Sequence, residues 1–183
     1  MCSTMTTGTE NTSREVDEIN VKYMNRAALF AGLLSLCAWI SLPVADIAFT
    51  LQSFGVLLAL GVLGGKWGSG AIFIYLLLGA AGVPVFSGFQ GGLGVLLGVT
   101  GGYLWGFLLG ALVYRLLEKQ NTALAMTAVL LTCYLCGSLW FSFWAGIGSL
   151  PVILLRCVVP YLIPDALKLL LALRLSRRLK RFL

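Results

Sequence analysis

The chain has 183 residues; 59% of them are hydrophobic, only 11% are charged, and the formal net charge is +6. Soluble domains carry about 25% charged residues, so this composition excludes an ordinary water-soluble domain. A membrane-spanning helix needs about 20 mostly apolar residues, and residues 27–173 have room for about six such helices with short connections.

In chain order, the first predicted segment is polar: residues 1–22 are rich in Thr, Ser, Glu and Asn and are expected to be disordered. A membrane domain is predicted over residues 23–175, followed by a basic cytoplasmic tail over residues 176–183. The six helices of this domain are predicted over approximately residues 23–42, 46–63, 69–81, 100–117 and 122–145, and from residue 164 into the tail.

Proline and glycine mark the connections between these helices. Pro43 is expected to end the first helix, and the glycines among residues 64–68 predict a turn between the second and third. The glycine-rich segment, residues 86–99, separates the third helix from the fourth and has no charged residue. Irregular backbone at membrane depth must be buried in protein or line a cavity. This segment is therefore either a lid over a pocket or a capping loop without a ligand.

The placement of basic residues predicts the orientation. The connections over residues 43–46, 83–99 and 146–160 contain a single base, Arg156. Because bases collect on the cytoplasmic side, both termini are predicted to be cytoplasmic and the glycine-rich segment to lie outside. The bases on the predicted inner side are Lys22, Arg26, Lys66, Arg115, Lys119 and those of the tail.

Small residues form two stripes at helical spacing. Gly102, Gly106 and Gly110 repeat every four residues and should let a neighbouring backbone approach the fourth helix closely. A second stripe lies on the first helix and is suited to packing either inside the bundle or against another membrane protein. Its members are Ala27, Ala28, Ala31 and Gly32.

The residues argue against catalysis. There is no histidine, which excludes Ser–His and Cys–His dyads and most zinc sites. Cys133 and Cys136 have CxxC spacing but lie in an apolar helix, where buried thiols are expected. Asp46 and Asp165 lie at the ends of separate predicted helices with no supporting motif. We predict no enzymatic activity, no cofactor and no metal site.

Ionisable residues within a span are costly and usually functional. Asp165 and Lys168 stand three residues apart, on one face of the last helix, where they form either part of a binding site or a structural ion pair. A few polar groups within apolar and aromatic walls would make a small-molecule site. The uncharged candidates are Thr50, Gln52, Tyr75, Gln90, Trp140 and Ser142, although Trp140 is equally suited to the membrane interface.

The middle of the chain resembles the BioY family, the biotin-specific S components of energy-coupling-factor (ECF) transporters. The resemblance covers residues 26–173 and is most specific from Pro84 to Tyr103. The motifs that carry it are Phe49-Thr50-Leu51-Gln52, Tyr75-Leu76-Leu77-Leu78-Gly79, Gly82-Val83-Pro84-Val85-Phe86, Gly91-Gly92-Leu93-Gly94-Val95-Leu96-Leu97-Gly98, Thr100-Gly101-Gly102-Tyr103 and Gly137-Ser138-Leu139-Trp140.

The resemblance implies a multi-pass protein of the bacterial cytoplasmic membrane that takes up biotin. It implies six helices, a cavity near the outer face beneath a lid-like connection, and partners comprising a transmembrane T component and cytoplasmic ATPases. The small-residue stripe of the first helix would dock against the T component, and no nucleic acid is involved. The substrate-binding residues that it implies are Gln52, Tyr75, Gln90, Trp140, Asp165 and Lys168.

The chain departs from the family pattern at three positions. Val99 replaces the usual proline, and Pro164 is displaced by one residue. Gln90 stands where some members have arginine, so Lys168 or Arg156 would have to neutralise the carboxylate of biotin. Two alternatives remain open: an S component for a different vitamin, and a structural membrane protein that does not transport.

Overall fold

The computed structural model describes residues 6–44, 47–146 and 149–181, and its fold is predominantly helical, as predicted. A two-stranded antiparallel hairpin, β1 (Ser41–Val44) and β2 (Ile47–Thr50), follows the first helix, and one 3₁₀ turn covers Ser87–Phe89. The helices are α1 (Thr6–Trp39), α2 (Gln52–Ala80), α3 (Leu93–Leu97), α4 (Gly101–Leu117), α5 (Thr122–Ala145), α6 (Leu150–Cys157) and α7 (Val159–Leu179).

The first and last long helices extend into the two predicted terminal segments. Helix α1 begins at Thr6, within residues 1–22, whose composition predicts disorder. Helix α7 continues to Leu179, so residues 176–179 of the predicted tail extend the last helix.

The β-hairpin replaces the predicted start of the second helix. That start, Asp46, lies outside the described residues, but residues 47–50 form β2 and the helix begins only at Gln52. Thr50 is therefore a strand residue paired with Ser41. Pro43 explains part of the difference, since a residue without an N–H fits an edge strand better than a helix interior. The hairpin places Thr50 and Gln52 at one end of the helical bundle.

Helix α2 reverses direction at the glycine turn predicted over residues 64–68. Gly64 has φ 77° and ψ 174°, a conformation that glycine adopts without strain. The Gln52 side chain lies 2.7 Å from the Tyr75 hydroxyl, whereas 23 residues of straight helix would separate them by about 35 Å. Helix α2 therefore consists of two antiparallel legs, and α1, α4 and α7 pack against it.

The glycine stripe of α4 faces α5, as predicted. A Cβ added at Gly106 would lie 3.0 Å from the Cα of Cys133, and one added at Gly110 would lie 3.2 Å from the Val129 carbonyl oxygen. The missing side chains allow the two backbones to approach closely. This contact holds α5, and with it Tyr134, next to the other helices.

The small-residue stripe of α1 divides between two environments. Ala27 and Ala31 are buried, and both belong to clusters with apolar side chains of α2. Ala28 and Gly32 are exposed, and a Cβ added at Gly32 would meet nothing within 4 Å. Only the second pair is free to contact another protein.

The last helix begins earlier than Pro164, its predicted start. Helix α7 starts at Val159 with Pro160 in its first turn, a position that tolerates proline because the first N–H groups have no helical partner. Pro164 then lies inside the helix, where it removes one backbone hydrogen bond. The connection predicted over residues 146–160 contains helix α6. These helices place Asp165 and Lys168 two to three turns from the start of α7.

Large apolar side chains are exposed on most helices of the described chain. By length and hydropathy α2 and α5 are candidate membrane spans, although α2 contributes two legs rather than one continuous span. An apolar surface this extensive is expected of a protein that faces lipid. Among the exposed side chains are Leu29, Phe73, Leu116, Leu131, Phe143 and Ile163.

Candidate functional site

A cavity of about 410 Å³ lies where the hairpin, the glycine-rich segment and helices α2, α4, α5 and α7 meet. Its volume lies within the usual range of small-molecule sites, about 300–1,000 Å³. Asp165 and Lys168 are the only charged side chains among its described lining residues, so the lining is neutral overall. The aromatic part of the wall consists of Phe49, Phe86, Tyr103, Phe107, Tyr134 and Tyr161.

The predicted pairing of Asp165 with Lys168 is present at this cavity. Both side chains are buried, and the Lys168 Nζ lies 2.8 Å from the Asp165 Oδ1. Their spacing along α7 brings both groups to one face of the helix. Burying a charge requires a partner and further hydrogen bonds, and both residues have them.

Lys168 uses all three of its N–H donors within the protein. Its Nζ donates to the Thr50 carbonyl oxygen at 2.6 Å, to the Ser53 Oγ at 3.0 Å and to Asp165. The Nζ also lies 4.0 Å from the centroid of the Phe49 ring, a cation–π contact. An ammonium group has three donors, so Lys168 must release one protein partner before it can bind a ligand oxygen.

Asp165, in contrast, retains capacity to accept. Its Oδ1 accepts from Ser53 at 3.0 Å and from Lys168, and its Oδ2 accepts from the Tyr134 hydroxyl at 2.6 Å. A carboxylate offers about four lone-pair sites, so these three donors leave one site for a ligand N–H. The network holds the carboxylate in one orientation from two neighbouring helices, α2 and α5.

Tyr134 and Ser53 are site residues that were not predicted from the sequence. Tyr134 lies between Cys133 and Cys136, a stretch interpreted only for its thiols, and Ser53 follows Gln52 directly. Each residue places a hydroxyl in an apolar helix, where a polar group needs a hydrogen-bond partner. This feature of the sequence could have marked both as candidates. Neither residue is close to Asp165 in sequence, so only the tertiary structure brings them together.

Gln52 and Tyr75 form a second polar network. The Gln52 side chain lines the cavity and donates to the Tyr75 hydroxyl at 2.7 Å, and that hydroxyl donates to the Val85 carbonyl oxygen at 3.1 Å. Tyr75 is buried and is not among the lining residues of the cavity, and its contact with a ligand stays a prediction. Its position indicates that it orients Gln52 and fixes the chain just before the glycine-rich segment.

Of the predicted site residues Gln90 and Trp140, only one lies at the wall of the cavity. Gln90 lines the cavity, as expected of a ligand-contacting residue, whereas Trp140 does not. The Trp140 indole instead donates to the Gly98 carbonyl oxygen at 2.8 Å. The indole is long enough for its N–H to reach the glycine-rich segment from α5. The position of Trp140 along the helix does not by itself predict this contact.

Two more tryptophans fix the same segment. The Trp39 indole donates to the Pro84 carbonyl oxygen at 2.9 Å, and the Trp105 indole donates to the Leu96 carbonyl oxygen at 3.2 Å. The Trp39 ring also stacks on Phe89, with centroids 4.9 Å apart. With Tyr75 and Trp140, these contacts attach both ends of the glycine-rich segment to the bundle, where Phe86 and Gln90 of the segment line the cavity.

The arrangement is suited to binding rather than to chemistry. The cavity combines apolar and aromatic walls with a few oriented hydrogen-bonding groups, as small-molecule sites do. Within residues 6–44, 47–146 and 149–181, no three His, Cys, Asp or Glu side chains cluster in a way that could hold a metal ion.

Known proteins share this fold and much of this sequence. The family model of the BioY family matches residues 9–183. The biotin transporter BioY of Thermotoga maritima is 39% identical over 166 residues, covering 88% of this chain and 97% of its own. The probable biotin transporter BioY of Pyrococcus horikoshii is 36% identical, covering 88% and 98%. A crystal structure of the S-component for biotin from an ECF-type ABC transporter superposes with a TM-score of 0.82 at 25% identity, covering 90% of this chain and 93% of its own.

Proposed function

The chain belongs to the BioY family, and from this premise we propose that it captures biotin as the substrate-binding S component of an ECF transporter. The main structural support for this proposal is the cavity. One buried Asp–Lys pair lies at its wall, and no other charged residue is among the described lining residues. Biotin combines an apolar chain with a ureido ring that has both donors and acceptors. Such a ligand matches a mostly apolar cavity with a few fixed polar groups.

Asp165 is proposed to bind the ureido ring. Its remaining lone-pair site accepts one ureido N–H, while Tyr134, Ser53 and Lys168 keep the carboxylate in place. Lys168 contributes in a different way, since its three donors already have partners in the protein. It acts first as the counter-charge of the buried Asp165 carboxylate, 2.8 Å away.

Gln90 is proposed to contact the carboxylate of biotin. Its amide can donate hydrogen bonds to that carboxylate but does not neutralise it. Lys168 lines the same cavity, whereas Arg156 on α6 is not among the lining residues. Of the two cations considered, Lys168 is therefore placed to supply the compensating charge, by exchanging one of its protein partners for the ligand.

Calorimetric titration of the purified protein with biotin, riboflavin and thiamine tests this function. We expect saturable binding of biotin and none of the other two at equal concentrations, because the cavity is matched to a ureido ring and a short apolar chain. Saturable binding of riboflavin or thiamine would indicate an S component for another vitamin. No saturable binding of any of the three would favour a structural membrane protein.

The proposed topology is a multi-pass protein of the cytoplasmic membrane with six crossings and both termini inside. Helix α1, the two legs of α2, and helices α4, α5 and α7 supply six helical segments, the first leg of α2 being the shortest. The distribution of basic residues supports the orientation, with the glycine-rich segment outside. Biotin would then reach the cavity from the outer side, as uptake requires.

We propose that the protein has no enzymatic activity of its own and that energy comes from partner ATPases through a transmembrane T component. The exposed half of the α1 stripe, Ala28 and Gly32, is the proposed docking surface for that component. Small residues allow the close backbone approach by which membrane helices associate. Ala27 and Ala31 face α2 instead and serve the packing of the bundle.

Replacing Gly32 by leucine tests the docking surface. The Cβ at Gly32 would meet nothing within 4 Å, so the fold should accept the side chain while a docked helix should not. We expect unchanged biotin affinity but loss of copurification with the T component and loss of ATP-dependent uptake. Gly70→Leu is the matched control, because its Cβ also meets nothing within 4 Å. Normal copurification of the Gly32→Leu protein would exclude this surface.

A further inference from the structure

A second cavity, of about 400 Å³, lies against the glycine-rich segment. Three of its lining residues, Gln90, Val95 and Thr100, also line the main cavity. The two spaces therefore share this part of their walls, a partition formed by these three residues. The remaining lining residues are Gly91, Gly94, Gly98 and Val99, none of which is charged.

The backbone around this partition is held in place. Tyr75, Trp39, Trp105 and Trp140 bind carbonyl oxygens at both ends of the segment, and the Gly92 N–H donates to the Gly79 carbonyl oxygen at 2.7 Å. Opening the partition by moving the whole segment would require breaking several of these hydrogen bonds. A smaller motion, of a side chain, costs less.

Gln90 is the side chain placed to make that motion. It is exposed, and within the described part of the chain its amide makes no hydrogen bond. Exposed side chains change rotamer on the picosecond to nanosecond scale. Rotation of the Gln90 side chain would connect the two cavities while leaving the backbone hydrogen bonds intact.

We propose that the second cavity is an outer vestibule through which biotin passes, and that the partition of Gln90, Val95 and Thr100 is the gate to the main cavity. This inference rests on the proposed function. Three of its seven described lining residues are glycines, which add no side chain to the passage, and the absence of charge among these lining residues lets the ligand pass without being held. The vestibule is therefore a path rather than a second storage site.

A path and a binding site respond differently to obstruction. An obstacle on the path raises the barrier between the free and bound states without changing the free energy of either. Association and dissociation then slow by the same factor, and the dissociation constant stays constant. A side chain that contacts the bound ligand changes the dissociation constant instead, mostly through the dissociation rate.

Gly94 offers the place for such an obstacle. It lines the vestibule but not the main cavity, and a Cβ there would meet nothing within 4 Å. Gly94→Leu and Gly94→Trp should fill the vestibule and leave the fold intact. With radiolabelled biotin and rapid filtration, we expect both rate constants to fall by about tenfold with leucine and further with tryptophan.

The matched control is Gly70→Leu, which adds the same side chain in open space away from both cavities and should keep wild-type rates. Failure of the wild-type protein to bind biotin would refute the proposed function itself. Wild-type rates in both Gly94 variants would refute the vestibule alone. A changed dissociation constant with an unchanged association rate would place Gly94 against the bound ligand, and that too would overturn the proposal.

Discussion

Replacing Asp165 by alanine is expected to weaken biotin binding by about ten- to a hundredfold, because it removes the carboxylate proposed to accept the ureido N–H. Hydrogen bonds to charged groups contribute about 1.5–3 kcal/mol each. The substitution also removes the acceptor that Tyr134 and Ser53 hold in place. Calorimetric titration of the purified variant measures the change directly.

The same substitution also affects stability, so the two effects must be separated. Lys168 would remain as a buried cation without its partner at 2.8 Å, a loss of about 3–5 kcal/mol when one member of a buried pair is removed. Replacing both members, as Asp165→Leu with Lys168→Met, removes the unpaired charge and should restore most of the thermal stability. We expect this double variant to unfold near the wild-type temperature and to bind biotin no more tightly than the Asp165→Ala protein.

Glu118→Ala provides the matched acidic control. The Glu118 carboxylate accepts from the Gly65 N–H at 2.7 Å, at the reversal of α2, and does not line the cavity. Its loss should lower the unfolding temperature without changing affinity. Wild-type affinity in the Asp165→Ala protein, or recovered affinity in the double variant, would show that the Asp–Lys pair is structural, as the alternative interpretation holds.

The part of this site that could be predicted from sequence is the part that lies close together along the chain. Asp165 and Lys168 are three residues apart on one helix, so helical periodicity alone places them on one face. The reversal at Gly64 was predictable for a similar reason, since several glycines interrupt an apolar run. In both cases the residues that determine the structure lie within fewer than two helical turns of each other along the chain.

The parts that were missed depend on contacts between distant elements. Tyr134 reaches Asp165 across 31 residues, and Lys168 reaches the Thr50 carbonyl oxygen across 118. The strand at Thr50 was predicted as helix because an apolar run of four residues has no diagnostic period. The resemblance implies a ligand contact for Trp140, whereas the bond of its indole to the Gly98 carbonyl oxygen depends on the tertiary structure.

Gly102→Ala should be the most damaging alanine substitution in the stripe formed by Gly102, Gly106 and Gly110. A Cβ there would overlap the Cβ of Trp140 and lie 2.8 Å from the Cys136 carbonyl oxygen, and a backbone atom cannot move aside without shifting α5. Overpacking of this kind costs about 1–3 kcal/mol and sometimes more. Thermal unfolding in detergent should show a clear loss of stability relative to Gly110→Ala, whose nearest contacts are 3.0–3.3 Å away.

The position of Trp140 extends this prediction from stability to ligand release. If α5 shifts at Trp140, its indole moves away from the Gly98 carbonyl oxygen and one end of the glycine-rich segment loses its attachment. Biotin should then dissociate faster from the Gly102→Ala protein, but not from Gly110→Ala. Trp140→Phe keeps an aromatic ring and removes only the N–H, so it should reproduce the faster release with a smaller loss of stability. Equal dissociation rates in Trp140→Phe and the wild type would mean that this attachment does not retain the ligand, and that the indole serves only the packing of α5.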